Sequence, residues 1–443
     1  MRALCSERCS FIGVCTHSTT ESLPRNNTMR ILILFPLMLS SVLLSAQCGG
    51  RYVWEIFSDV DRTSDILYGS NLDYEGNAID LYVDFFEPSG DTLAARPLVI
   101  LAHGGFFISG DRTAADIVGI CEGLARRGYA CASLQYRLGV GLDEIDSAGF
   151  AKAVVRGVQD AKAAVRFFRA QSETYGVDTG QIFLGGTSAG GVLAVHYAYL
   201  QDTLLSEPWI NALIDELGGL EGNSGTPGYP THIRGAVSYA GAFKNLNWMG
   251  PKAVPLASTH GTEDDVVPYG YGMVTYVLVP GILELPITPM YGSAAIHPEL
   301  DARGIDNEFL SFEGAGHVPH LQPGSYGLDP VIFPQTIQWT AEFFHRQLDC
   351  YDATAGSTPI AATPTPLSAW PVPADQTVWL SGLPEQGSLQ LTLVDASGRT
   401  MRQWGQPGQA NLVVERGDLP SGLYWLQVQT EAGKPYRAVV SFY

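Results

Sequence analysis

Positive charge is scarce in this chain: 26 Lys and Arg stand against 45 Asp and Glu, a formal charge of −19 over 443 residues. So acidic a surface repels nucleic-acid phosphates and anionic lipid headgroups, so neither nucleic acid nor stable membrane insertion is expected. Long apolar runs are lacking too. Ile31 to Leu39 is short for a spanning helix, and Pro36 breaks it. With Met29-Arg30 before it and the small residues from Ser40 to Ala46 after it, the run has the three zones of a secretory signal. Residues 1–28 carry no such pattern, so translation is expected to begin at Met29, with cleavage after Ala46. Gln47 stands where a lipoprotein site at Cys48 would need a small residue. Clustered metal ligands are lacking as well. His317 and His320 are three apart, but a closed zinc site needs four ligands and no second cluster stands nearby, so neither metal nor cofactor is expected.

Cysteine is sparse, with seven in all, of which Cys5, Cys9 and Cys15 fall in the leader. The remaining four admit two disulfides with three connectivities. Cys121 lies on the helix-like stretch Asp116 to Arg127 and Cys131 on the strand-like Tyr129 to Leu134, consecutive elements that pack together. Cys48 and Cys350 bracket the region between leader and linker. The expected pairs are Cys121 with Cys131 and Cys48 with Cys350; the alternative for the first pair is two buried free thiols.

What the chain does have is Gly186-Thr187-Ser188-Ala189-Gly190, set between the apolar run Gln181 to Gly185 and the helix-like Val192 to Ala198. A GxSxG at a strand-to-helix junction is the setting of a nucleophile elbow, in which flanking glycines permit a strained turn that lifts the serine hydroxyl clear of the sheet. Upstream, the strand-like Pro97 to Ala102 runs into His103-Gly104-Gly105-Phe106-Phe107. Main-chain N–H groups of Gly104 and Gly105, with that of Ala189, are candidates to stabilise an oxyanion; losing one such donor costs about 100- to 1000-fold in rate. Downstream, Pro255 to Thr259 leads to His260-Gly261-Thr262-Glu263-Asp264-Asp265, and Gly314-Ala315-Gly316 precedes His317. Ser188, an acid and His317 then follow in the order Ser, Asp, His.

These segments make residues from about Val60 to Leu348 resemble the α/β-hydrolase superfamily, and HGGFF, QYRL, GTSAG, HGTEDDVVPY and GAGH resemble bacterial carboxylesterases and lipases. The resemblance implies a mostly parallel sheet flanked by helices. It implies Ser188 as nucleophile, His317 as base and Asp264 as the acid, four residues after its His, with Asp265 as the rival. His103 and His260 are expected to shape their loops. Asp160 and Arg166, before the nucleophile strand, read as scaffold charges that anchor loops.

Past Cys350 the composition shifts. Residues 353–373 are rich in Thr, Pro, Ala and Ser with almost no charge, which reads as a linker. From Val378 short alternating runs bounded by Gly, Pro or Asp indicate a small all-β sandwich. Asp395 to Arg399 and Leu419 to Tyr424 make the stretch from Leu367 to Tyr443 similar to the C-terminal sorting domain of the Por, or type IX, secretion system; a carbohydrate-binding module with a tryptophan platform is the competitor. The expected organisation is a leader at 1–46, a catalytic domain at 47–352, a linker at 353–373 and a sorting domain at 374–443. The expected protein is a secreted or cell-surface serine hydrolase acting on carboxylic esters and engaging the type IX machinery. A lipase or polyester depolymerase, a serine peptidase and a non-catalytic binding module are the alternatives. Two segments are expected to shape its pocket: Leu204 to His232, and the apolar Met273 to Met290, either as pocket or lid or as a buried helix-and-loop insertion.

Overall fold

A computed structural model describes residues 50–139, 145–200, 207–250, 254–279, 283–324, 327–349, 365–370, 376–384, 386–395, 400–431 and 435–442. The larger part is built on an eight-stranded sheet. Its strands are β1 (Val60–Leu72), β2 (Ala78–Pro88), β3 (Arg96–Ala102), β4 (Ala130–Leu134), β5 (Val177–Thr187), β6 (Gly235–Tyr239), β8 (Leu256–Gly261) and β11 (Asn307–Phe312), in the order β1-β2-β4-β3-β5-β6-β8-β11. From β4 to β11 every pairing is parallel; β2 is antiparallel to both its neighbours.

A parallel sheet needs cover on both faces, and β3 shows how the sequence provides it. All seven of its residues are buried. Leu98, Ile100 and Ala102 point into one core, and Val99 and Leu101 into a second on the other face, as the two-residue period of a strand requires. The first core is closed by α2 (Ser147–Ala170) and α3 (Ala189–Tyr199), the second by α1 (Ala115–Ala125) and α5 (Ile332–Arg346). Close approach of α1 to α5 depends on Gly119 and Gly123, where a Cβ would meet Phe333 and Ile337 within 3.0 Å. The scaffold charges behave as expected: Arg137 pairs with the fully buried Asp160, and Arg166 donates to the carbonyls of Glu221 and Ser224, holding the loop after α4 (Pro208–Glu216).

Three expectations need correction. Cys121 and Cys131 are free thiols, both fully buried. They touch as hydrogen-bonded neighbours between α1 and β4, so they pack as small apolar side chains and no disulfide links them. Cys48 and Cys350 lie outside the described residues, as do the leader and the signal-like run. The apolar stretch Met273 to Met290 is no helix. It belongs to a hairpin of β9 (Tyr271–Val279) and β10 (Leu283–Gly292), joined at β10 to the two-residue β7 (Ala242–Phe243). Finally, Thr365–Pro366 and Ser368–Trp370, expected within the linker, are strands β12 and β13.

The C-terminal residues form two sheets. One has β12, β15 (Ser388–Asp395), β16 (Thr400–Pro407), β18 (Gly422–Thr430) and β19 (Pro435–Phe442) in the order β12-β19-β18-β15-β16; the other is β13-β14-β17, with β14 at Thr377–Ser381 and β17 at Asn411–Glu415. Alternate residues of both, such as Leu389, Leu391 and Leu393 or Leu412 and Val414, fill one apolar core. Among the described residues no helix is long and apolar enough to cross a membrane.

Candidate active site

The site lies where the strand order reverses. β3 is followed in the sheet by β4 on one side and β5 on the other, so the loops leaving the carboxyl ends of β3 and β5 open a crevice. Register sets them side by side: Ala102 pairs with Gly186, which brings His103-Gly104 against Thr187-Ser188. The fit is close enough to dictate glycine. A Cβ on Gly190 would stand 2.0 Å from the Ala102 carbonyl oxygen, and one on Gly186 2.5 Å from it. Ser188 itself has φ 54° and ψ −114°, a strained conformation for a residue with a side chain, fixed by its N–H donating to the Tyr239 carbonyl at 2.7 Å.

The facing loop is strained as well. Gly105 has φ +113°, and a Cβ there would lie 2.1 Å from the Ser109 carbonyl oxygen; Phe106 and Phe107 follow at φ 60° and 61°. His103 shapes this turn. Its ring stacks on Tyr136 with centroids 4.4 Å apart, its Nδ1 donates to the Gly104 carbonyl at 2.6 Å, and Tyr136 Oη donates to the His103 carbonyl at 2.8 Å. Burial holds the His103 imidazole below its usual pKa. In a trans peptide the Gly105 N–H points opposite to the Gly104 carbonyl, and so away from the His103 ring. Ala189, next to Ser188, is the first residue of α3, where the N–H has no intrahelical acceptor.

Asp264 and His317 follow neighbouring strand ends, β8 and β11, paired so that Gly261 faces Phe312. His317 Nε2 lies 2.8 Å from Ser188 Oγ, and His317 Nδ1 lies 2.7 Å from Asp264 Oδ2. Asp264 Oδ1 accepts the N–H groups of Val266 and Val267 at 3.0 and 2.8 Å. Burial works against ionising the Asp264 carboxyl, but the imidazoles of His317 and His260 outweigh it and hold its pKa far below the carboxylate range. The Asp264 side chain has no exposed surface, whereas its rival Asp265 is exposed.

His260 holds the loop that it opens, and it does so through Asp264 itself. Fully buried, it sets Nε2 3.1 Å from Asp264 Oδ2 and 3.1 Å from the Val267 carbonyl, with Nδ1 2.9 Å from Ser293 Oγ. Two acceptors at Nε2 mean that this nitrogen carries the proton, and Nδ1 accepts from the serine. The His-x-x-x-Asp spacing was the available signal. Tyr276 of β9, in the stretch expected to shape the pocket, packs its ring 4.8 Å from that of Phe106 and so brings the hairpin onto the β3 loop. Neither His320, buried beside Asp116, nor any other group of His, Cys, Asp and Glu among the described residues could hold a metal ion.

A mostly parallel sheet with helices on both faces thus brings the strained Ser188, His317 and Asp264 into one hydrogen-bonded line at the carboxyl ends of its strands. Residues 83–218, which carry the β3 loop and Ser188, match the family described as BD-FAE. The chain is similar to the "Probable isoprenylcysteine alpha-carbonyl methylesterase" of Oryza sativa subsp. japonica, at 26% identity over 262 residues, 57% of this chain and 57% of that relative's length. Among solved structures it is similar to a propionate-bound esterase of Thermogutta terrifontis, with a TM-score of 0.43 and 19% identity over 67% of this chain and 94% of that one. A truncated carbohydrate esterase from gut microbiota has a TM-score of 0.44 at 18% identity, over 66% and 97% of the two chains.

Proposed function

We propose that the protein is a secreted serine hydrolase that cleaves carboxylic esters through an acyl-enzyme. The observation that carries this reading is the continuous hydrogen-bonded line from Ser188 Oγ through His317 to Asp264. His317 Nε2 accepts the serine proton as Oγ attacks the ester carbonyl, and the tetrahedral oxyanion is met by the N–H groups of Gly104, Gly105 and Ala189. Collapse expels the alcohol, protonated by His317. Water, deprotonated by the same nitrogen, attacks the acyl-serine and releases the acid and Ser188. Asp264 fixes the Nδ1–H tautomer and stabilises the imidazolium. The BD-FAE match and the similarity to a methylesterase support an ester over an amide.

The Por-type resemblance supports export through type IX secretion, with residues 374–443 as sorting domain. Initial rates on acetyl, butyryl, long-chain acyl and feruloyl esters and a prolyl amide, beside Ser188→Ala, test the enzyme. One ester class is expected to dominate and to vanish in the variant, along with fluorophosphonate labelling. A long-chain preference would make the protein lipase-like; absence of Ser188-dependent turnover on all of them would overturn the hydrolase reading.

A further inference from the structure

Behind the nucleophile turn lies a second contact of acid and imidazole that the hydrolysis above does not use. Asp116 stands in the first turn of α1, and His320 follows His317 by three residues. Both are buried, His320 completely, and His320 Nε2 faces Asp116 Oδ2 at 3.4 Å. A carboxylate only accepts, so Nε2 carries the proton. The other ring nitrogen, Nδ1, is buried without a hydrogen-bond partner, which leaves Asp116 as the polar group that orients the ring. Aromatic contacts hold its faces and edges: Tyr239 meets it edge to face with centroids 5.4 Å apart, and Phe333 lies at 6.0 Å.

Each neighbour of this pair leads to a different part of the site. Tyr239 is the residue whose carbonyl receives the Ser188 N–H at 2.7 Å. Thr187, the residue before Ser188, faces the Asp116 carboxylate with its hydroxyl. Burial works to raise the Asp116 pKa, but His320 and Thr187 outweigh it and hold it below the usual carboxylate value. The field of Asp116 reaches His103 of the β3 loop as well. His320 itself ends the loop that carries His317. The near side of that loop is tied to the acid loop, with the Gly314 N–H donating to Thr262 Oγ1 and the Glu263 N–H to the Ala315 carbonyl, both at 2.9 Å. On the far side the chain turns through Val318 at φ 55°, a strained conformation for a β-branched residue, which persists only where the surroundings hold it. The side chain of His320 on Asp116 supplies such a hold two residues on.

We propose that Asp116 and His320 are positioning residues that set His317 against Ser188, by anchoring the far end of the strained base loop to α1 beneath the nucleophile turn. This inference rests on the hydrolase reading and deepens it. A carboxylate and an imidazole buried together contribute little net stability beside apolar side chains of similar volume, whereas a buried polar contact rigidifies and specifies one arrangement.

The test is kcat, KM and the rate of fluorophosphonate labelling in the full chain, with thermal melts to give the folded fraction. His320→Ala is expected to lower kcat and the labelling rate about 10- to 100-fold, as a misplacement of roughly 1 Å does, with KM little changed. His320→Gln, whose amide presents a donor near the place of Nε2, is expected to recover most of the loss. Asp116→Leu combined with His320→Phe removes the buried charge and fills its space, so the melting temperature is expected to hold while the fall in kcat remains. A contact that serves stability alone gives the opposite pattern: full kcat per folded molecule in the combined variant, and Ala and Gln variants alike once the folded fraction is counted. Either of those results would overturn the proposal. Unaltered kcat and labelling in the variants of an active parent would sink this inference alone; a parent with no Ser188-dependent turnover or labelling would sink the hydrolase reading and this inference with it.

Discussion

The region of the eight-stranded sheet and the C-terminal sheets obey the same rules of burial and differ in where they break them. Every buried polar or charged side chain among the described residues lies at or before Thr340, and every non-glycine residue with positive φ at or before Val318. The C-terminal core is leucine, valine and other apolar side chains on alternate strand positions, with Tyr424 satisfied by the Pro420 carbonyl. Burying polar groups and straining backbone each cost of order 1–3 kcal/mol. Among the described residues these costs fall in the larger region, some at Ser188 and the loop facing it, others in its scaffold, as where Arg137 meets Asp160.

The sharpest way to break that contrast is at Asp264. Asp264→Asn keeps size and shape but removes the charge and offers the wrong hydrogen-bonding group to His317 Nδ1. Ester turnover near neutral pH is expected to fall about 10⁴-fold, with a far-ultraviolet spectrum unchanged. Loss of less than about tenfold would mean that the buried carboxylate serves structure.

His260 comes next. Its N–H on Asp264 Oδ2 makes it a positioning residue, acting through the acid. His260→Ala is expected to lower kcat about 10- to 100-fold, as small misplacements of catalytic groups do, with KM little changed. His260→Gln, which retains a donor, is expected to recover much of the loss. A purely structural histidine would instead lower stability in both variants and leave kcat per folded molecule unchanged.

How much of this was readable beforehand follows the same divide. Ser188, His317 and the glycines stand in short motifs because a strand end, a tight turn and a side chain must be consecutive in the chain. The choice of Asp264 came from its four-residue spacing to His260, and the contact between those two residues gives that spacing a physical reason. At 273–290 the apolar content was weighed without its period, so a helix stood among the readings where the structure has a hairpin. Val274 and Tyr276, then Leu285 and Ile287, are two apart, and Pro280-Gly281 is a turn signal between them. Strands β12 and β13 were hidden by proline and small residues, which edge strands tolerate.

A change confined to packing should leave chemistry alone. Leu391→Ala removes a fully buried side chain from the C-terminal core. It is expected to cost about 2–5 kcal/mol in the stability of those sheets, read by denaturant melts of Trp404 and Trp425 fluorescence, with kcat/KM within twofold of the parent. A matching fall in kcat/KM under native conditions would mean that the C-terminal sheets contribute to the site.

The smallest expected effect concerns the two buried thiols of the larger region. Cys121 and Cys131 have no exposed surface, and burial, with the neighbouring Cys121 thiol, raises the Cys131 pKa well above the usual thiol value. A nucleophilic cysteine needs the opposite: a lowered pKa and access. Neither thiol is therefore expected to react with N-ethylmaleimide in the native protein, and both are expected to react fully in denaturant without prior reduction, as read by peptide mass. Native labelling of Cys131 would mark it as a reactive group and extend the chemistry of this region to the second face of the sheet. Absence of labelling in denaturant would show that the two sulfurs had been oxidised. The expected pattern assigns the pair to the apolar packing between α1 and β4 and leaves the polar chemistry on the carboxyl ends of β3, β5, β8 and β11.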